Sequence, residues 1–178
     1  SILNTEAELA GVIGHEIGHV TARHGATRQT RGTFANLAVV GAAILTGSNE
    51  IAQLGQTAAA SYLASYSRDQ ERQSDSLGIR YLSEAGYDPL AMAGGLAAIG
   101  RQGALMNRMA GREAREVSSL STHPQTPERV AATRAEASRT QAQGRIFTGR
   151  DPFLDAVDGM IYGDSPQQGY VRGNRFSH

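Results

Sequence analysis

The sequence contains no cysteine and no tryptophan, and only five of its 178 residues are proline. Without cysteine the chain forms neither disulfides nor thiolate metal sites, so any metal has to be held by His, Asp or Glu side chains. Basic and acidic residues number 17 each, so charge gives no reason to expect nucleic acid or an anionic membrane surface as a partner. Lack of cysteine leaves the compartment open, because exported and cytosolic proteins both occur without disulfides.

Long apolar runs are absent as well. The longest, from Phe34 to Leu45, has about 12 residues, whereas roughly 20 are needed to cross a bilayer. We therefore predict no transmembrane segment, and we interpret this run as a buried helix whose Ala and Gly content indicates close packing. No targeting signal follows Ser1, and we expect the sequence to be a fragment or a processed form of a longer chain.

Helical patterns cover most of the chain. Thr5 and Glu8 have the spacing of a capping box, and we predict a first helix from about Thr5 to His24, ended by a positive φ at Gly25. A Gly/Thr/Arg-rich connection follows it. Further helices are predicted over residues 34–45, 50–66, 68–80 with a break at Gly86, 89–99, 128–141 and, more weakly, 152–160.

These patterns predict a mainly α fold with at most a small β component. No run alternates polar and apolar residues convincingly, so any sheet is small or formed by residues outside the sequence. With 178 residues and 40% apolar composition, one domain buries a sufficient core. We predict a helical core over residues 1–143 and an irregular segment over 144–178 that packs on the same domain.

The first predicted helix carries the motif HEIGH, in which His15 and His19 are four residues apart. That spacing puts both imidazoles on one face of the helix, one turn apart, where they suit a single metal ion. A catalytic zinc site has three protein ligands and keeps a fourth position open for water. Glu16, next to the first histidine, is then placed to act as the general base that takes a proton from the attacking water.

The alternative is that these histidines are ordinary residues of a helix surface. Glu16 would then merely favour the early helix through the macrodipole. The apolar neighbours Val12, Ile13 and Ile17 argue against this alternative, because they would partly bury two imidazoles that have no partners.

A third ligand is predicted in the segment SRDQERQSDSLGIRYL, where Glu71 and Asp75 share one helical face. Either carboxylate suits the metal, and the other suits the free N–H of a ligand histidine. We assign Glu71 as the ligand and Asp75 as its orienting partner. The alternative is a solvated helix face that pairs with Arg68 or Arg72, and the HEIGH motif favours ligation over it.

Three motifs together resemble the HtpX-like gluzincin metallopeptidases, which are related to the Ste-type CAAX prenyl endopeptidases. They are AELAGVIGHEIGHVTARH, SRDQERQSDSLGIRYLSEAGYDP and STHPQTPERV, in the family's order, from Ala7 to Val130. The resemblance implies a zincin-like core with one Zn²⁺ per chain, Glu71 as third ligand and Asp75 behind a ligand histidine. Ser74 stands where the family usually has alanine.

The third motif adds His123 and Arg129. The resemblance implies that His123 is a further active-site histidine, which either stabilises the oxyanion of the tetrahedral intermediate or occupies the open metal position in an inhibited state. Taken alone, a histidine before proline in a polar loop is more often structural or exposed. Arg129 suits a carboxylate pairing that holds this loop, with no partner indicated by the sequence. His24 and His178 receive no role.

The resemblance implies a zinc endopeptidase that acts on unfolded or misassembled envelope proteins. The C-terminal stretch of the sequence resembles that of exported, soluble bacterial members of the family. This predicts a periplasmic or outer-membrane-associated protein. The strands that precede the HEIGH helix in relatives are not in the sequence, so a chaperone-like or adaptor protein with a structural zinc site and no cleavage is the alternative. A membrane-bound prenyl-protein protease is disfavoured by the lack of a ~20-residue apolar span.

Overall fold

The structure is a computed structural model that describes residues 2–109, 123, 126–140, 146–161, 170–172 and 175–177. Over these residues the chain forms six helices and one antiparallel hairpin. The elements are α1 Glu6–Thr21, α2 His24–Thr46, α3 Asn49–Glu84, α4 Ala91–Met109, α5 Pro127–Ala137, α6 Arg150–Val157, β1 Tyr170–Arg172 and β2 Arg175–Ser177. The predicted mainly α fold with a small β component is confirmed.

Helix α1 begins as its capping pattern predicts. The side chain of Thr5 accepts a hydrogen bond from the backbone N–H of Glu8 at 3.1 Å. A second N–H of the first turn, that of Ala7, donates to the carbonyl of Thr148 at 3.1 Å. The N-terminus of α1 is therefore stabilised both by its own cap and by a later segment of the chain.

The end of α1 differs from the prediction. The helix stops at Thr21, and the residue with positive φ is Arg23 (φ 54), two positions before the predicted Gly25. Gly25 lies inside α2, and the connection expected after it is helical. A left-handed arginine costs roughly 1–2 kcal/mol, and the neighbouring His24 is buried.

Two predicted helices form one. Helix α3 runs without a break through both the 50–66 and the 68–80 ranges. It starts at Ser48, whose side chain accepts from the N–H of Ile51 at 3.3 Å, and it ends before Gly86, which has φ 80. The break predicted between the two ranges, at Ser67, lacked a physical cause, because the segment around it contains neither glycine nor proline.

Helix α4 is longer than predicted and begins two residues later. Gly94 and Gly95 lie within it and face α1. A Cβ on Gly95 would be 3.2 Å from the carbonyl oxygen of Glu8, so a bare backbone at this position permits close packing of α4 on α1.

Helix α2 and the first half of α3 form a helical hairpin, which we call the arm and define as residues 25–64. No side chain of the arm is buried. The prediction that the run from Phe34 to Leu45 is a buried helix is therefore wrong: it is helical, but Phe34 is 67% and Leu45 is 88% exposed. The reason is that α2 has little but α3 to pack against. No helix in the described ranges is long and apolar enough to cross a bilayer.

The hydrophobic core lies where α1, the second half of α3, α4 and α5 meet. Its buried side chains are Ile79, Leu82, Met92, Leu96 and Ala137. Helix α5 begins at Pro127, one residue before the predicted position 128, with Thr126 as N-cap, and it ends at Ala137, before the predicted position 141.

Helix α6 and residues 147–149 of the C-terminal segment contact the rest of the helical domain. Helix α6 overlaps the predicted short helix, and its Phe153 and Val157 are buried against Leu3. The N–H of Phe147 donates to the carbonyl of Gly86 at 3.0 Å, beyond the end of α3. The boundary at residue 143 between a core and a C-terminal segment stays a prediction.

Candidate metal centre

Glycines on one face of α1 allow its backbone to approach α3. A Cβ on Gly14 would lie 3.3 Å from the Cα of Gly78, and a Cβ on Gly18 would lie 3.1 Å from the Cα of Ser74. Both distances are shorter than an ordinary van der Waals contact, so larger residues would push the helices apart. The close approach brings the HEIGH face of α1 against the second motif, which lies on α3.

Four potential ligands converge at this contact: His15, His19, Glu71 and His123. One ligand atom of each lies within 4.8 Å of all the others. The Nε2 atoms of His15 and His19 are 3.0 Å apart, and Nε2 of His19 is 3.2 Å from Oε1 of Glu71. Ligand atoms on a tetrahedral zinc, with bonds of ~2.0–2.1 Å, are about 3.4 Å apart. The spacings of His15, His19 and Glu71 therefore suit one tetrahedral ion.

Glu71 is 2% exposed and is surrounded by positive or hydrogen-bonding groups. Its Oε2 lies 2.7 Å from Nη1 of Arg129, and its Oε1 lies 2.9 Å from Nδ1 of His123. Burial raises the pKa of this carboxyl, but the hydrogen bonds of His123 and His15 and the charge of Arg129 outweigh burial and hold the pKa well below its usual range. Glu71 is therefore an anionic carboxylate, the form that binds metal.

Asp75 lies behind His15 and accepts two hydrogen bonds from Arg129. Nε and Nη2 of Arg129 each donate to a different Asp75 oxygen at 2.6 Å, and Thr133 donates to it at 3.3 Å. Burial raises the pKa of Asp75, but the hydrogen bonds of Arg129 and His15 lower it overall. Its Oδ1 is 2.9 Å from Nδ1 of His15, so that nitrogen carries the proton and Nε2 is left for the metal.

The two HEIGH histidines have opposite protonation tendencies. Burial lowers the pKa of His15, but its hydrogen bonds to Asp75 and Glu71 outweigh burial and raise the pKa to about 9. Burial lowers the pKa of His19 to about 4, although the charge of Glu71 opposes it. Metal binding at this centre therefore competes with a proton on His15.

The structure brings together six of the seven predicted site residues, namely His15, His19, Glu71, Asp75, His123 and Arg129. Arg129 holds both acidic residues, which are the partners that the sequence did not indicate. The seventh, Glu16, follows His15 on α1 and is exposed, so it is accessible to a substrate. The roles of these residues remain predictions.

Sequence reasoning missed His24, which is 3% exposed and contacts His19. On an unbroken helix a spacing of five residues would put the two imidazoles about 140° apart. The left-handed residue Arg23, between the end of α1 and the start of α2, changes the direction of the chain and brings His24 back towards the centre. The only available signal was that this histidine belongs to the motif HEIGHVTARH.

Comparisons with known proteins show the family to which the chain belongs. The model of peptidase family M48 matches residues 1–137. The beta-barrel assembly-enhancing protease of Yersinia pestis is 30% identical over 145 residues, which cover 76% of this chain and 28% of that protein. The mitochondrial metalloendopeptidase OMA1 of Arabidopsis thaliana is 39% identical over 87 residues, 48% of this chain and 17% of that protein. No solved structure matches the chain significantly.

The helical fold, the HEIGH helix and the family match together define the class of this protein as a metallopeptidase. The chain belongs to peptidase family M48. This confirms the resemblance to the HtpX-like metallopeptidases and the predicted enzyme class. The chain spans 28% or less of the length of the relatives named above.

Proposed function

We propose that this chain is the catalytic core of a zinc-dependent endopeptidase with one zinc ion per chain. The observation that supports it most strongly is the convergence of His15, His19 and Glu71 across the α1–α3 contact, with spacings that suit one tetrahedral ion. Imidazole and carboxylate ligands in a chain without cysteine suit zinc.

The remaining residues have separate roles in peptide hydrolysis. When bound, zinc supplies a Lewis acid for the water and for the scissile carbonyl. Glu16 accepts the proton of the attacking water and donates it to the leaving amine nitrogen. Asp75 keeps the proton of His15 on Nδ1, and Arg129 keeps both acids in place and charged.

His123 determines whether the centre is open. Its Nδ1 lies 3.5 Å from Nε2 of His15 and 2.9 Å from Oε1 of Glu71, among the other ligand atoms. With His123 included, four protein residues would hold the ion, as in closed structural zinc sites. We infer that His123 occupies the fourth position in a resting state and leaves it for substrate.

The same observation favours a second candidate function. If His123 is a permanent ligand, the centre is structural, and the protein binds client polypeptides without cleaving them. The two functions make opposite predictions for His123→Ala. Release of a resting state raises peptide cleavage, whereas loss of a structural ligand lowers zinc affinity and produces no cleavage.

We propose that the substrates are unfolded or misassembled envelope proteins and that the protein is periplasmic or associated with the outer membrane. Support comes from the 30% identity to a protease named for enhancing β-barrel assembly. A suitable substrate is thus an outer-membrane β-barrel protein held unfolded, with its folded form as the comparison. Cleavage that does not distinguish the two forms would contradict this substrate class.

The test of the mechanism replaces Glu16 by glutamine, which removes the base but keeps the shape of the side chain. We expect Glu16→Gln to bind zinc as the parent chain does and to lose cleavage of casein and of the unfolded β-barrel protein by about 10²–10⁴-fold. Glu50→Gln, an identical change on the exposed arm, is the matched control and should cleave normally. Equal cleavage by the Glu16 and Glu50 variants would exclude the mechanism. The assay should be run on this chain and on one extended at its N-terminus.

A further inference from the structure

His24 lies directly behind His19, on the side away from the metal centre. The Nδ1 atoms of the two imidazoles are 2.9 Å apart. On its other side, Nε2 of His24 lies 3.0 Å from Oε1 of Gln73. Both histidines therefore belong to a hydrogen-bonded chain that runs from Gln73 to the ligand atom of His19.

The side-chain amide of Gln73 sets the direction of every hydrogen bond in this series. The amide oxygen of Gln73 only accepts, so the Nε2–H of His24 donates to it. When His24 carries this one ring proton, its Nδ1 is an acceptor, and the hydrogen bond at 2.9 Å then comes from the Nδ1–H of His19. The proton of His19 is thereby held on Nδ1, and its Nε2 lone pair points towards Glu71 and His15.

The fold supports this placement from three directions. Arg23, in the left-handed conformation, turns the chain so that His24 faces α3. The side chain of Gln70 donates to the backbone carbonyl of His24 at 3.0 Å, and Oγ of Ser74 lies 3.2 Å from its Nδ1. Ser74 stands where alanine is usual in the resembling family, and its hydroxyl adds a contact that alanine lacks.

The two HEIGH histidines therefore have different orienting partners. His15 has the carboxylate of Asp75, and His19 has the imidazole of His24. A second carboxylate behind His19 would be a third buried anion beside Glu71 and Asp75, while Arg129 is the cation that contacts those two. A neutral acceptor fixes the tautomer without adding an uncompensated buried charge.

We propose that His24 is a positioning residue that holds His19 in the metal-binding tautomer and orientation. This inference rests on the proposed metal centre, and it extends that centre by one residue that does not touch the ion.

Two variants of His24 test the proposal through metal affinity. His24→Leu keeps similar apolar volume but removes the acceptor, and we expect its zinc affinity, measured by competition with a chelator, to fall by about 10–100-fold. His24→Asn places an amide oxygen near the position of Nδ1, and we expect it to restore most of the affinity. The absorption spectrum of bound Co²⁺ should change in the Leu variant and resemble the parent spectrum in the Asn variant.

The control is Ile79→Val, a conservative substitution of a buried core residue that is not a ligand, which should leave zinc affinity unchanged. Zinc affinity of His24→Leu equal to that of the parent would overturn the proposal, and so would equal loss in the Asn and Leu variants. If the parent chain itself binds no zinc, the proposed function is wrong. That outcome is distinct from one in which the parent binds zinc and only the proposed role of His24 is wrong.

A second measurement needs no variant and so does not depend on folding of His24→Leu. In the zinc-loaded chain, ¹⁵N–¹H correlations of the imidazoles should show the proton of His19 on Nδ1 and that of His24 on Nε2. A proton on Nδ1 of His24 would reverse the chain of hydrogen bonds and overturn the proposal.

Discussion

Arg129 is the cation of the metal centre, and it contacts two buried anions at once. It forms a two-point ion pair with Asp75 and a further contact of 2.7 Å with Glu71. Burial lowers the pKa of Arg129, but these carboxylates outweigh burial and raise it, so the side chain is permanently charged. Its removal leaves the two buried carboxylates without their guanidinium partner, and the basic side chains described that then contact them are the histidines His15, His19 and His123.

We predict that Arg129→Met lowers the free energy of unfolding of the metal-free chain by about 3–5 kcal/mol, as breaking a buried ion pair does. Urea denaturation followed by circular dichroism measures it. Arg129→Lys keeps the charge but lacks the planar fork that matches Asp75, so its loss should be intermediate. A Met variant as stable as the parent would show that Arg129 is not required to hold the acids.

Individual residues of the site are predictable where one element carries the pattern. The i, i+4 spacing of His15 and His19 is enough to place both side chains on a shared helical face. The partners of Arg129 were not predictable, because they are far from it in the sequence. The role of His24 was not predictable, because it depends on the direction in which the chain turns between α1 and α2. That turn depends on the left-handed conformation of Arg23, and no glycine in the sequence indicates a positive φ at this position.

The contact between α1 and α3 depends on residues without side chains. A Cβ on Gly18 would lie 3.1 Å from the Cα of Ser74 and 3.1 Å from its carbonyl oxygen. Backbone atoms cannot move away as the end of a flexible side chain can, so an added methyl group has to separate the two helices that carry the ligands.

We predict that Gly18→Ala destabilises the chain by about 1–3 kcal/mol through overpacking and also weakens zinc binding. The matched control is Gly32→Ala on α2, where a Cβ meets nothing within 4 Å. That change should stabilise the chain by up to about 1 kcal/mol, because alanine favours a helix over glycine. Thermal denaturation and chelator competition measure both effects. The same response from both variants would contradict the role of the close contact.

Element boundaries were predictable where a side chain or a glycine sets them. Thr5, Ser48 and Thr126 cap their helices, and Gly47 and Gly86 have positive φ at the helix ends. Boundaries failed where composition alone suggested a break, as between the two segments of α3. Burial of the apolar run in α2 also failed as a prediction, because apolar character does not say whether another element is available to cover it.

At the scale of the whole molecule, the metal centre and the arm are separate structures. The centre is formed by α1, the start of α2, the second half of α3 and residues near α5, whereas the arm contributes no buried side chain. An apolar groove of about 860 Å³ lies between the arm helices, with Phe34, Leu54 and Tyr62 among its lining residues. The ligands are not among them.

We predict that the outer arm is dispensable for metal binding. Residues 36–58 can be excised and residues 35 and 59 joined by a short Gly/Ser turn, because Val39 contacts Gly55 across the hairpin. Zinc affinity should be unchanged, and self-association measured by light scattering should decrease, since exposed apolar surface is removed. A strong loss of zinc affinity, with helical content otherwise as expected for the shorter chain, would show that the arm supports the centre.

The central claim is that α1 and α3 together hold one zinc ion through His15, His19 and Glu71. Its most direct test is the zinc content, by mass spectrometry, of the parent chain and of Glu71→Ala after loading and exhaustive dialysis. The matched control is Glu84→Ala, which removes an exposed glutamate from the same helix. The account predicts one zinc per chain in the parent and in the control and little in Glu71→Ala. A full equivalent of zinc in Glu71→Ala, or none in the parent chain, would contradict it.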